Sequence, residues 1–197
     1  MTSLGGIAVA VDEWKVDLAY SGTQKCLGVA PGLAPFTMNE RALDQRRQRP
    51  QSWYLDLGMI ADYATTKAAR KYHHTAPVAM IMSLHAGLGA LLAEGLDAAI
   101  QRHVECGHLL QDGLQKMGLE LFAEEGHRLP ELTTVVVPDG VDDLAVRTLL
   151  LERYGIEIGG GVGAYAGKVW RIGCMGHTAR VANVILLLAA LGEMLGR

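Results

Sequence analysis

One lysine in this chain stands where its amine could act as a nucleophile. Lys25 lies in Tyr20-Ser21-Gly22-Thr23-Gln24-Lys25-Cys26-Leu27-Gly28, directly after the extended run Val16 to Ala19. A lysine that loses its proton attacks carbonyl carbons and forms a Schiff base. A lone loop lysine is usually a solvated charge, but these neighbours favour chemistry. Ser21, Gly22 and Gly28 allow backbone to approach a ligand closely, and the preceding strand gives a rigid base.

Three other clusters carry chemical potential. Arg171 closes the apolar run in Lys168-Val169-Trp170-Arg171-Ile172-Gly173. A strand-end arginine is often a surface ion pair, yet its planar fork also matches a carboxylate with two hydrogen bonds. Tyr72-His73-His74-Thr75 offers two hydroxyls that suit a phosphate. Its adjacent histidines diverge on an extended chain, and no third ligand lies at zinc spacing, so no metal is expected. Gly159-Gly160-Gly161-Val162-Gly163 matches a dinucleotide loop only loosely, because a strand and not a helix is expected after it.

These residues need elements to hold them. Residues 7 to 20 read as two extended segments joined by Asp12–Lys15, and Pro31 and Pro35 keep helix out of the stretch beyond the lysine. Asn39 is a helix cap for Glu40, residues 41 to 51 read as charged and exposed, and Tyr54 to Thr65 has helical spacing. Residues 71 to 77 read as a loop. Val78 to Met117 reads as a long helix, bent or split near Gly95.

From Gly118 the pattern turns to alternation. Strands are expected at Leu119–Phe122, Thr133–Val137, Glu157–Gly159 and Val169–Ile172. A helix over Asp143–Tyr154 is capped by Asp142 and stopped by Gly155, and a last helix opens at His177-Thr178 and runs to about Leu195. This order is α+β.

The lysine string, followed by Pro31-Gly32, resembles the cofactor-lysine segment of class V aminotransferases, specifically the alanine/serine–glyoxylate and serine–pyruvate aminotransferase family. Tyr72-His73-His74-Thr75 before a proline and a long helix, the Arg171-Ile172-Gly173 string, and Ser3-Leu4-Gly5-Gly6 extend the resemblance over essentially all 197 residues. It implies an α/β fold of the fold type I kind, with residues 1–93 a remnant of the large cofactor-binding domain and residues 94–197 an α+β small domain. The cofactor implied is pyridoxal 5′-phosphate. Lys25 would form its Schiff base and shuttle the substrate proton, and Gln24 would bind its phosphate. Tyr72 and Thr75 would reach the phosphate of the neighbouring subunit in a homodimer, and Arg171 would anchor the substrate carboxylate. His73 and His74 would be structural, and the glycine run would be the mobile loop before the carboxylate arginine.

The resemblance also implies that the chain is the C-terminal half of such an enzyme. The family's aspartate for the pyridine nitrogen stands a few residues before the Ser3–Gly6 string, with the ring-stacking aromatic and the glycine-rich phosphate loop also upstream. Amino transfer between alanine or serine and glyoxylate or another 2-oxo acid is the implied reaction, with little turnover by this chain alone. A non-catalytic fragment or interaction module is the alternative, and a related enzyme acting on another small amine is a third.

Composition bounds these readings. Half of the residues are hydrophobic and 20% are charged, enough for a packed core. The net charge of -3 argues against a nucleic-acid partner. Three scattered cysteines suit a reducing compartment. The absence of a signal pattern, and of an apolar run long enough to span a bilayer, points to a soluble cytoplasmic protein without membrane contacts.

Overall fold

In a computed structural model, which describes residues 1–47, 49–65 and 72–197, the elements follow the chain as ββαααα and then βαββα. Leu18–Tyr20 (β1) and Phe36–Met38 (β2) pair antiparallel, with Ala19 opposite Thr37. This hairpin brackets the Lys25 loop. Asn39 caps the short helix Glu40–Asp44 (α1), its side chain accepting from the Ala42 N–H. The Asn39 amide also donates to Asp17, and Arg41 pairs with the same carboxylate. Those two hydrogen bonds hold Asp17 below the usual carboxylate range.

Leu57–Thr65 (α2) starts three residues later than its apolar spacing predicts. Asp56 explains this, because its carboxylate accepts from the N–H groups of Gly58 and Met59 and so marks the helix entry. The long helical region is two helices, Val78–Glu94 (α3) and Leu96–Lys116 (α4), which meet at Gly95 with an 87° bend. No single helix among the described residues is long and apolar enough to cross a membrane.

The second sheet contains Leu132–Val136 (β3), Gly159–Gly160 (β4) and Val169–Gly173 (β5) in the antiparallel order β3-β5-β4. Asp143–Tyr154 (α5) is capped by Asp142 and ends at Gly155 in the left-handed conformation, as its sequence predicts. Val181–Leu195 (α6) closes the chain. The main core lies between this sheet and α4, α5 and α6, around Leu110, Leu114, Val135, Leu150, Trp170 and Leu191. Each of these side chains is at most 1% exposed. By contrast, Cys26 and Leu27 are the only buried apolar residues described before α4.

Four expectations change. The run Ile7–Val11 makes no strand, and Ile7 forms only an isolated bridge to Leu4. An extended segment needs a hydrogen-bonded neighbour, and among the described residues none lies beside it. Leu121 makes one bridge to Val135 where a strand over Leu119–Phe122 is predicted. β4 falls at Gly159–Gly160, not Glu157–Gly159. The last helix begins at Val181, because the Thr178 hydroxyl donates back to the Met175 carbonyl and closes a 3₁₀ turn over Gly176–Thr178.

Candidate active site

The lysine loop is a chain of tight turns fixed by its small residues. Lys25 N–H donates to Gly22 C=O, and Gly28 N–H donates to Lys25 C=O at 2.9 Å. Thr23 is fully buried and its hydroxyl donates to Ala30 C=O. Ser21 is buried and its hydroxyl donates to Met1 C=O. The two hydroxyls that could compete for a ligand are therefore committed to the loop itself.

Lys25 is left half-buried in a cleft of about 420 Å³ lined by Met1, Thr2, Tyr20, Gly22, Gln24 and Gly32. Among the described residues its amine has no hydrogen bond or ion pair. Gln24 is exposed beside it, its amide oxygen lying over Gly22, where an added Cβ would stand 2.6 Å away. The cleft thus presents one free amine and one free amide on a rigid turn, and it can admit a planar aldehyde with an anionic tail.

The next residue points the other way. Cys26 is 2% exposed, and burial, followed by the Glu131 carboxylate, pushes its thiol up to about 12. Cys174 is pushed up to about 12 by burial and by Cys106, and Cys106 is raised by burial. Each folded-state value lies above the ordinary 9.0, so the buried thiols favour folding below pH 9 and lose that contribution as pH rises towards 12. Alkylation by iodoacetamide at pH 8.5 should be at least about tenfold slower in the folded chain than in urea. Equal rates would contradict the burial of all three cysteines.

Arg171 sits on β5 directly opposite Thr134 on one side and Gly159 on the other, so it projects from the face opposite Trp170 and Ile172. The alternation follows from the strand period: Trp170 and Ile172 are buried and Arg171 is exposed. Its Nε donates to Gly160 C=O at 2.8 Å. The two terminal nitrogens have no hydrogen-bond or ion-pair partner among the described residues. A guanidinium tethered at Nε with its Nη atoms open is arranged to take a carboxylate. Gly159–Gly160 is the strand paired with this arginine; a single 3₁₀ turn, Gly163–Tyr165, follows the glycine run before β5, where a strand alone is expected, and no α-helix opens there.

The Tyr72 and Thr75 hydroxyls are exposed and hydrogen-bonded to each other. His73 is buried, stacked on Trp53 at 4.2 Å, with one ring nitrogen on the Trp53 carbonyl and the other on His74. Both of its ring nitrogens are occupied. Lys71, the first residue of the predicted loop, lies outside the described residues, as does Gln48 in the charged stretch. Neither Tyr72, Thr75 nor Arg171 lines the Lys25 cleft. Among the described residues no group of three His, Cys, Asp or Glu could hold a metal ion.

Sequence reasoning missed Arg102, His103 and Gly176. Arg102 Nη1 donates to Gly176 C=O and to Ala179 C=O, both at 2.8 Å, while its Nε and Nη2 bind Glu94. The only sequence signal is two basic residues inside a helix that buries one face, which does not reveal a target more than seventy residues away.

Comparisons with known proteins bear on the family and the fold. The family profile of class-V aminotransferases matches residues 1–182. The chain is 38% identical to the (S)-ureidoglycine–glyoxylate transaminase of Bacillus subtilis, covering 100% of this chain and 52% of that protein. It is 41% identical to the alanine–glyoxylate aminotransferase of Drosophila melanogaster, covering 98% of this chain and 50% of that protein. The crystal structure of alanine–glyoxylate aminotransferase from Nostoc sp. superposes with a TM-score of 0.92 at 46% identity, over 98% of this chain and 52% of that one. The chain spans about half the length of the curated relatives it matches. Its mixed helices and strands are those of an α/β fold type I aminotransferase. With the profile running from the first residue into α6, the chain belongs to the class-V aminotransferase family.

Proposed function

We propose that this chain provides the cofactor lysine and the substrate-carboxylate site of a pyridoxal-phosphate-dependent aminotransferase, moving an amino group from alanine or serine to glyoxylate or a similar 2-oxo acid. The observation that carries this reading is Lys25: a half-buried amine, free of partners among the described residues, held by successive turns in an open cleft. The donor set suits the cofactor, since it joins an amine for the aldehyde with a neutral amide donor, Gln24, for the phosphate. Bound there, pyridoxal phosphate would supply an electron sink for charge developing at the substrate Cα.

The chain's own residues then have separate tasks. Lys25 would hold the cofactor through its aldehyde and would take and return the proton at the substrate Cα. Arg171 holds the substrate carboxylate through its open Nη atoms and so fixes which Cα bond faces the lysine. Gln24 orients the phosphate. Tyr72 and Thr75, which stand away from the Lys25 cleft, are assigned to the cofactor phosphate of a second subunit. The protein acts in the cytoplasm on small molecules, and the chain divides near residue 93 into a large-domain part and a small domain.

A homodimer is part of this reading. α3 has no buried residue, and Met80, Met82 and Leu92 are exposed along it. Apolar surface of this kind drives association. Light scattering at micromolar concentration should show a dimer or larger species, and a clean monomer would contradict it. The function is tested in a protein that joins residues 1–197 to the remaining half of a class-V fold. Glyoxylate with L-alanine or L-serine should give glycine and the matching 2-oxo acid. Failure with both donors while pyridoxal phosphate is bound at Lys25 would overturn the substrate assignment.

A further inference from the structure

The Lys25 turn does not rest on its own segment. Its last residue, Gly28, lies back to back with Gly176, in the turn just beyond the Arg171 strand. A Cβ on Gly176 would stand 2.6 Å from Gly28 Cα and 3.0 Å from Gly28 N. Both glycines have positive φ, +70° and +56°, so neither position accepts a side chain without strain. Only two bare backbones allow the turns to come this close.

Gly176 is in turn held from both sides by consecutive residues of α4. The His103 ring is fully buried; its Nδ1 faces Ala99 C=O at 2.6 Å and its Nε2 accepts from Gly176 N–H at 2.8 Å. Those partners fix the neutral tautomer with the proton on Nδ1. Arg102 binds Gly176 C=O and is itself fixed by the Glu94 carboxylate. The side chain of Cys26 closes the same seam, since a Cβ on Gly6 would stand 2.6 Å from its Sγ and 3.3 Å from the His103 ring.

We propose that His103 and Arg102 are positioning residues for Lys25: by clamping Gly176 against Gly28 they set where the lysine turn stands relative to the strand that carries Arg171. The proposal deepens the aminotransferase reading and rests on it for the role of Lys25. Neither α4 residue lines the lysine cleft, so each acts through the glycine contact.

The test uses the 197-residue chain and two readouts. The first needs no cofactor: hydrogen exchange at the Lys25 and Gly28 amides, whose acceptors lie within the loop. In His103→Leu, which removes the acceptor for Gly176 N–H, and in Gly176→Ala, exchange at these amides should rise at least about tenfold while α6 amides stay slow. His103→Gln, which keeps an acceptor, should recover most of the protection. Arg102→Gln, at a partly exposed site, should give a smaller rise at the same amides. The second readout is the rate at which pyridoxal phosphate and borohydride modify Lys25, with exposed Lys15, Lys116 and Lys168 as internal controls. The Lys25 rate should fall about tenfold in His103→Leu with the controls unchanged. Unchanged loop exchange in Arg102→Gln and the folded His103 variant would overturn the proposal, as would equal loss of protection in α6. If loop exchange responds but the wild-type chain shows no preference for Lys25, the positioning stands and the aminotransferase reading fails.

Discussion

Replacing Lys25 with alanine in the protein joined to its remaining half should lower amino transfer by about 10²- to 10⁴-fold, the range lost with a positioned general base. The loss should fall on kcat and kcat/KM together, because the lysine acts on the proton that moves in the transition state. Folding should be unaffected: the side chain is half-buried and has no hydrogen bond among the described residues, and the loop is held by Thr23, Ser21 and its own backbone. Added methylamine should restore a small part of the rate, since the cleft is open and can admit a free amine. Activity within about threefold of the parent would show that another residue carries the proton.

Arg171→Ala should reduce kcat/KM for alanine and serine by roughly ten- to a hundred-fold, the value of about 1.5–3 kcal/mol for a hydrogen bond to a charged group. Arg171→Lys should recover only part of this, because an ammonium cannot reproduce the paired donors of the guanidinium. The Gly160 carbonyl would also lose its Nε partner, but it lies near the surface where water replaces it. Cofactor binding should persist in both variants, since Arg171 does not line the lysine cleft. Near-normal kinetics in the alanine variant would mean that another group holds the carboxylate.

Both side chains were legible in the sequence for local reasons. The Lys25 loop is built from short-range turns, Gly22 to Lys25 and Lys25 to Gly28, that its own residues specify. Arg171 follows from strand alternation, with Trp170 and Ile172 turned to the core. Asn39, Asp142 and Gly155 act as caps within a few residues of themselves, and all three fall where the sequence places them. What could not be read is long-range. Phe36–Met38 is a strand because Leu18–Tyr20 lies beside it, and nothing within those three residues says so. Ile7–Val11 has the composition of a strand and no neighbour to pair with among the described residues. The seam of Gly28, Gly176 and the neighbours Arg102 and His103 joins three stretches that are remote in the chain, and within each of them nothing names the other two.

The most direct test of the account is to incubate the 197-residue chain with pyridoxal phosphate, reduce it with borohydride and map the modified lysines by peptide mass spectrometry. The account predicts a stable adduct concentrated on Lys25, well above Lys15, Lys116 and Lys168, and lost in Lys25→Ala without transfer to its neighbours. Modification spread evenly over the exposed lysines, with Lys25 no more reactive than the rest, would contradict it.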